Sequence, residues 1–241
     1  MATKPGLPEI LSFGDTGYGD ELLSGLALTL FIAVMAYALG LLIGMIGAMG
    51  KIHGSPLTQR ILLGYTTLVR AVPELVLILI LYFAGSTALS ALFEALGFGA
   101  VAINGIAASI VVLGFVQGAY HTEVLRGAIQ AIPIGQLEAA RAYGMSPILE
   151  FRRVTLPAML PLAIPGLSNL WLIVTKDTAL IAVVGGGVEL AKTAQQAAGN
   201  TKMYMTFFLT AGAIYLTITL LSQQVLSRFE RHLRRGQRLQ T

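Results

Sequence analysis

The sequence has no cysteine, so disulfides, thiolate metal sites and cysteine nucleophiles are excluded. It also has little charge. Asp, Glu, Lys and Arg make up 12% of the 241 residues, whereas about 25% is usual in soluble domains, and 55% of the residues are apolar. A chain of this length lacks the charged surface that a water-facing shell requires. The composition therefore indicates a membrane protein.

Motifs for metal or nucleotide binding are also missing. His53, His121 and His232 are too scattered to suggest a zinc site, so no metal ligands are expected. Residues 186–193 approach a phosphate-binding loop, but Ala191 stands where glycine must precede Lys192. We therefore expect no cofactor on this chain. The basic residues form no stripe interleaved with aromatics, so we expect no nucleic-acid partner either.

Long apolar runs dominate the chain. A helix needs about 20 residues to cross the hydrocarbon core of a bilayer. Three runs of that length carry no charge, and two more are interrupted by pairs of charged residues. We predict an all-α membrane protein with five transmembrane helices, at about 22–49, 61–93, 98–122, 157–188 and 203–227.

Lys and Arg are unevenly distributed between the connections, which predicts the topology. Eleven of the sixteen basic residues fall in the first connection, the third connection and the C-terminal tail, which are expected to be cytoplasmic. The sequence therefore predicts an external N-terminal segment at 1–21, one membrane domain at 22–227 and a basic cytoplasmic tail at 228–241.

Small residues recur at intervals of four in two predicted spans. Gly40, Gly44 and Ala48 lie on one face of the first span, and Gly114 and Gly118 repeat the spacing in the third. Small residues let helices approach closely in membranes. We predict helix packing at these positions, with glycines facing lipid as the alternative.

The third connection, at about 126–156, is far longer than an antiparallel helix pair needs. Pro133 opens a helix in its first turn, and Gly144 is placed to end it in a left-handed conformation. Ser146 then caps a second helix with Pro147 at its first position. We predict a rigid helix-turn-helix with a smooth flank at Ala139 and Ala140.

This connection carries a family resemblance. Glu138-Ala139-Ala140, then Gly144 four positions after Ala140, then Val154-Thr155-Leu156-Pro157 resemble the EAA loop of permease subunits in binding-protein-dependent ABC importers. The alternative is an ordinary amphipathic connector. The resemblance assigns a role in coupling to an ATPase to Glu138, Ala139, Ala140, Gly144, Leu156 and Pro157.

The resemblance extends along most of the chain. Residues 64–75 are similar to a segment of polar amino-acid permeases, with Ala71 where glycine is usual, and residues 114–128 and 176–180 match the same family. The chain looks most like the Q-type permease subunit of histidine, lysine/arginine/ornithine or octopine/nopaline importers. This implies a type I importer fold in the bacterial plasma membrane. The implied partners are an ATPase dimer that binds ATP and Mg, a homologous second permease and an extracytoplasmic substrate-binding protein.

Four ionisable residues lie within the predicted spans. Because such groups cost about 2.5–3.5 kcal/mol at the bilayer centre, they normally face a cavity or a partner. Arg70 and Glu74 are one helical turn apart and can pair. Arg70 also suits a substrate carboxylate. The remaining candidates for substrate contact are Glu74, Lys176 and Asp177.

Adjacent Lys176 and Asp177 point about 100° apart on a helix, so they cannot face one spot. Our hypothesis is that Asp177 contacts a cationic or zwitterionic amino acid while Arg70 holds its carboxylate. The alternative is a structural ion pair of Asp177 with Lys176 or with the partner subunit.

The resemblance implies a non-catalytic permease subunit that moves a polar, basic amino acid or amino-acid derivative inward by alternating access. A transporter or channel driven by an ion gradient is the alternative. An intramembrane hydrolase is disfavoured, because no nucleophile and base are arranged for it.

The fourth span is entered through Pro157, Pro161 and Pro165. Proline removes a backbone donor and disturbs a regular helix. We therefore predict a bent or irregular lower part for this span.

Overall fold

A computed structural model describes residues 12–14, 17–97, 104–185 and 187–234. Within these residues the chain forms helices and no β-strand. The helices are α1 (Gly19–His53), α2 (Pro56–Ala71), α3 (Glu74–Ala95), α4 (Gly105–Gln130), α5 (Ile134–Ala142), α6 (Pro147–Glu150), α7 (Leu156–Asp177), α8 (Ile181–Val184), α9 (Leu190–Thr201) and α10 (Tyr204–Arg234).

Within the described ranges, five segments are long and apolar enough to cross a membrane, in agreement with the predicted number of transmembrane helices. They are Gly19–His53, Glu74–Ala95, Gly105–Gln130, Pro147–Val184 and Tyr204–Leu233. Most of the predicted external segment, residues 98–103 of the predicted third span, and residues 235–241 of the predicted tail lie outside the described residues. The predicted orientation of the termini stays a prediction.

The predicted span at 61–93 is wrong as one continuous helix, because the chain breaks between α2 and α3. Val72 is extended, with φ −93° and ψ 139°. Pro73 explains the break, since proline disfavours the helical conformation of the residue before it.

The predicted pairing of Arg70 with Glu74 is also wrong, because the break destroys their one-turn spacing and no ion pair joins them in the described chain.

The fourth span begins ten residues earlier than predicted. α6 continues into a π-helical turn at Phe151–Thr155, which leads directly into α7. The Leu156 N–H donates to the Phe151 carbonyl, five residues back. This wide turn immediately precedes Pro157, whose ring would meet a carbonyl in a regular α-helix. The predicted irregularity is therefore confirmed at the entry, whereas Pro161 and Pro165 lie inside α7.

The chain divides into two compact units. The first unit comprises Met1–Ala36, Leu75–Leu113 and Val174–Thr219, and the second comprises Tyr37–Glu74, Gly114–Ile173 and Leu220–Thr241. In the first unit, α9 packs its alanine face against α1 and α10. The buried cluster there is Leu22, Leu190, Ala194, Ala197, Ala198, Phe207 and Ala211.

In the second unit, glycines bring α1 and α4 into close contact. A Cβ at Gly40 would lie 3.3 Å from the Gly114 carbonyl oxygen, and one at Gly44 would lie 2.9 Å from the His121 carbonyl carbon. A Cβ at Gly44 would require backbone movement, whereas a Cβ at Gly40 would require its neighbours to shift by a few tenths of an ångström. The predicted packing role of these glycines is confirmed, and lipid-facing glycine is excluded there.

Candidate functional site

The turn of the hairpin at residues 134–150 is fixed by backbone hydrogen bonds. Gly144 follows α5 with φ +73°, as predicted for a left-handed helix end. Its N–H donates to the Arg141 carbonyl at 2.9 Å, and the Met145 N–H donates to the Ala140 carbonyl at 3.2 Å. These two bonds form a Schellman motif, which satisfies carbonyls that the end of α5 would leave unpaired.

An ion pair connects the two helices of this hairpin. Arg141 Nε lies 3.1 Å from Glu150 Oε2, and a second guanidinium nitrogen lies 3.3 Å from Oε1. Hydrogen bonds and the charge of Glu150 raise the pKa of Arg141 above its ordinary value. Ser146 is extended as an N-cap residue, but its side chain makes no capping bond, so that detail of the prediction is wrong.

The hairpin exposes apolar side chains at its tip. Tyr143 is 86% exposed and Ile148 75% exposed. Glu138 and Ala139 are exposed, whereas Ala140 is only 3% exposed. The predicted smooth flank therefore holds for Ala139 and is wrong for Ala140, because successive helical residues point about 100° apart.

The base of the hairpin is anchored in the core of the second unit. Leu137 and Leu156 pack against a buried cluster of Ala48, Leu125, Ala128, Ile129, Ile132, Met159 and Ala163. Pro157 is exposed at the start of α7. Beside the hairpin lies a mostly apolar cavity of about 730 Å³ that includes the Arg141–Glu150 pair in its lining. The tip is thus free to dock while the base is held.

A second polar cluster in this unit surrounds Glu123. One carboxylate oxygen accepts from Lys51 Nζ, and the other accepts from Arg126 at 2.8 and 3.1 Å. Lys51 Nζ also donates to Thr66 Oγ1 at 2.6 Å. Arg70 is exposed and lines the same cavity of about 380 Å³. Sequence reasoning used Lys51 and Arg126 to predict topology and Arg126 also for the family resemblance, and it did not predict this cluster.

The four predicted substrate contacts fall in different units. Arg70 and a half-buried Glu74 belong to the second unit, whereas Lys176 and Asp177 belong to the first. Lys176 is exposed and Asp177, the last residue of α7, is half-buried. The difference in exposure between Lys176 and Asp177 agrees with the prediction that these adjacent helical residues face different directions.

Sequence reasoning missed a buried carboxylate in the first unit. Glu189 is fully buried and caps α9, accepting from the Ala191 and Lys192 amides at 2.8 Å each. The same side chain accepts from Tyr215 Oη at 2.9 Å and from Thr29 Oγ1 at 3.3 Å. Thr29 is 160 residues away in the chain, so no local pattern could reveal the cluster.

His121 is a buried packing residue. Its Nδ1 lies 2.8 Å from the Gln117 carbonyl oxygen. The Tyr37 ring meets it edge to face at 4.7 Å, and Tyr37 donates to the Leu167 carbonyl at 2.9 Å. These contacts join α1, α4 and α7 within the second unit.

Comparison with known proteins places this arrangement among transport proteins. Residues 40–235 match the family described as binding-protein-dependent transport system inner membrane component. The octopine transport system permease protein OccQ of Rhizobium radiobacter is 40% identical over 231 residues, which cover 95% of this chain and 96% of OccQ. The histidine/lysine/arginine/ornithine permease protein HisQ of Escherichia coli K12 is 40% identical over 215 residues, 89% of this chain and 94% of HisQ.

Solved structures agree with the sequence comparison. An amino acid ABC transporter, solved with histidines, superposes with a TM-score of 0.75 at 29% identity, covering 89% of this chain and 95% of the other. The methionine ABC transporter MetNI, in an inward-facing conformation, gives a TM-score of 0.66 at 21% identity over 89% of this chain and 95% of its own. The second likeness concerns the fold alone.

Proposed function

Because the chain belongs to the family of binding-protein-dependent transport system inner membrane components, we propose that it is the permease subunit of an ATP-driven importer for a basic amino acid or opine. The family places it in the bacterial inner membrane as a transport component. An ion-gradient transporter is not favoured, since the relatives are transport system permeases.

The proposed complex contains a dimer of ATPase subunits, a homologous second permease and an extracytoplasmic binding protein. ATP and Mg bind the ATPase subunits, and this chain is a non-catalytic transport subunit. ATP binding draws the hairpins of the two permeases together and turns the substrate cavity outward, and hydrolysis resets it. The N-terminus is external and the C-terminus cytoplasmic in this arrangement.

The hairpin of residues 134–150 is the proposed ATPase contact, and its rigid turn is the observation that carries this proposal. Glu138 and Ala139 supply exposed side chains beside the apolar tip, and Gly144 fixes the turn. Ala140 and Leu156 connect the hairpin to the core, while Pro157 marks the start of α7. In this proposal, a force that the ATPase applies to the tip is transmitted through these contacts to the core of the second unit.

A matched pair of variants tests this role in the co-purified complex. Gly144→Asp places a side chain at φ +73°, which costs about 1–2 kcal/mol and disturbs the turn. Gly135→Asp adds the same charge in the first turn of α5, where the space around a Cβ is open. We expect the first variant to lose substrate-stimulated ATP hydrolysis and the second to keep it. Normal stimulation and assembly in Gly144→Asp would contradict the proposal.

For the substrate, we propose that Asp177 contacts the cationic group. A carboxylate at the end of α7 is a natural counter-ion for an ammonium or guanidinium group. Asp177→Asn should lower uptake of arginine and lysine while leaving assembly intact, and unchanged uptake would remove the assignment. The roles of Arg70 toward a substrate carboxylate, and of Glu74 and Lys176, stay predictions.

A further inference from the structure

The cavity around Arg70 has an excess of positive charge. We call it the basic cavity. Lys51, Arg70 and Arg126 line it together with one carboxylate, Glu123, and the polar residues around them are two glutamines and two threonines. Three positive side chains against one negative side chain give this lining a net charge of two, and Arg70 is the cation that Glu123 does not contact.

Glu123 has no further capacity to balance that charge. Its two oxygens already accept from Lys51 and Arg126, and the Lys51 side chain is only 8% exposed. Arg70 makes no ion pair in the described residues. Because the lining carries a net positive charge, it attracts an anion into the basic cavity.

The surroundings of the basic cavity indicate what kind of anion it holds. Lys51 lies in the last turn of α1, and Arg126 lies close to the end of α4. The ends of membrane-spanning helices lie at the depth of the lipid headgroups. Leu63, which lines the cavity, is 58% exposed. The site therefore presents positive charge and apolar surface side by side.

The helix α2 adds a second apolar surface. Leu57, Ile61 and Leu68 share the face of α2 that is opposite the cavity, and they are 68%, 62% and 60% exposed. A short helix with one apolar and one basic polar face is typical of segments that lie among phospholipids. Basic pockets between spanning helices bind anionic lipid headgroups by the same chemistry.

We propose that the basic cavity binds the phosphate of an anionic phospholipid headgroup. A lipid with two phosphates, such as cardiolipin, matches the two surplus charges. Arg70 is then a lipid contact, and this role competes with its predicted contact to a substrate carboxylate. The site goes beyond the importer function, since lipid binding requires no transport.

The test measures cardiolipin bound to the co-purified complex by native mass spectrometry, after reconstitution in phosphatidylethanolamine nanodiscs with increasing cardiolipin. Arg70→Gln should weaken binding about fivefold, the effect of one basic side chain near a headgroup. Arg70→Lys should stay within about twofold, because it keeps the charge. Arg60→Gln is the matched control, since Arg60 lies on the same helix but does not line the cavity.

Three results would overturn the proposal. Equal losses in Arg60→Gln and Arg70→Gln would show general surface attraction. Displacement of cardiolipin by an equimolar amount of inorganic phosphate would show a site for the free anion. Displacement of cardiolipin by arginine or octopine would show that Arg70 contacts the substrate and not a lipid. Retention of cardiolipin against all three competitors, together with the selective loss in Arg70→Gln, supports the lipid site.

Discussion

Each unit of the chain contains a carboxylate held inside a polar cluster, and the two clusters are built differently. Glu123 in the second unit is paired with two cations, Lys51 and Arg126. Glu189 in the first unit is fully buried, and the described contacts of its carboxylate are neutral hydroxyls and backbone amides. One cluster depends on opposite charge, whereas the other depends on oriented dipoles at a helix N-terminus.

This difference determines how each cluster should respond to loss of charge. Removing the acid from an ion cluster leaves buried cations without a partner. Removing charge from Glu189 leaves only neutral donors, which can be partly satisfied by an amide oxygen. The second unit should therefore be the more sensitive to neutral substitution.

The largest effect is expected for Glu123→Gln. The change leaves the largely buried Lys51 and the partly exposed Arg126 without an anionic partner, which should lower the free energy of unfolding by about 3 kcal/mol, the lower end of the range for a buried pair. The measurement is a denaturant titration of the purified complex in detergent. Lys51→Met in the same chain should recover part of the loss, because it removes the more buried unpaired cation. Additive losses in the double variant would contradict the charge-pairing account.

Glu189→Gln should cost about 2 kcal/mol in the same titration, because the amide group turns a donor toward hydroxyls and amides that also donate. The described contacts of Glu189 include no cation whose removal could restore stability. A loss of stability as large as that of Glu123→Gln would contradict the proposed difference between the clusters.

Gly44→Ala tests the backbone contact that brings α1 and α4, and so Lys51 and Glu123, together. The new methyl group meets the His121 and Thr122 backbone at 2.9 and 3.0 Å. Overpacking outweighs the gain in helix propensity, so the net cost should be about 1–2 kcal/mol. Gly64→Ala, in open space on α2, is the control and should be neutral or stabilising. Equal behaviour of the two variants would show that the contact is not tight.

The smallest effect is expected for Tyr215→Phe, which removes one hydroxyl donor from Glu189. The change should cost about 1 kcal/mol, the usual value of one buried hydrogen bond. Tyr204→Phe, at the exposed start of α10, provides the control for removal of a tyrosine hydroxyl. A loss of stability equal to that of Glu189→Gln would mean that the Tyr215 hydroxyl accounts for the whole stabilising effect of the Glu189 cluster.

Local chemistry predicted the features that depend on a few neighbouring residues. Gly144 predicted the left-handed end of α5, and Gly40 and Gly44 predicted close helix packing. The break at Val72 had a local signal as well, because Pro73 restricts the residue before it, yet the long apolar run obscured it. The apolar patterns and the resemblance likewise predicted five spans and the family.

Contacts across long sequence separations could not be predicted in this way. Lys51 and Glu123 are 72 residues apart, and Thr29 and Glu189 are 160 residues apart. In the sequence, Lys51, Glu123 and Glu189 each look like an isolated charge in a connection, and Thr29 looks like a hydroxyl within a span. Only the packing of the helices reveals that they share a cluster, because helical periodicity specifies a face without naming the neighbour.

The π turn at Phe151–Thr155 has a consequence for the alignment of the hairpin. Such a turn accommodates one more residue than an α-helical turn. Deleting one residue from it would allow a continuous α-helix while rotating α6, and the tip it carries, by about 100° around the axis of α7. The extra residue thus acts as an angular offset, so the direction in which the tip faces depends on chain length as much as on side-chain identity.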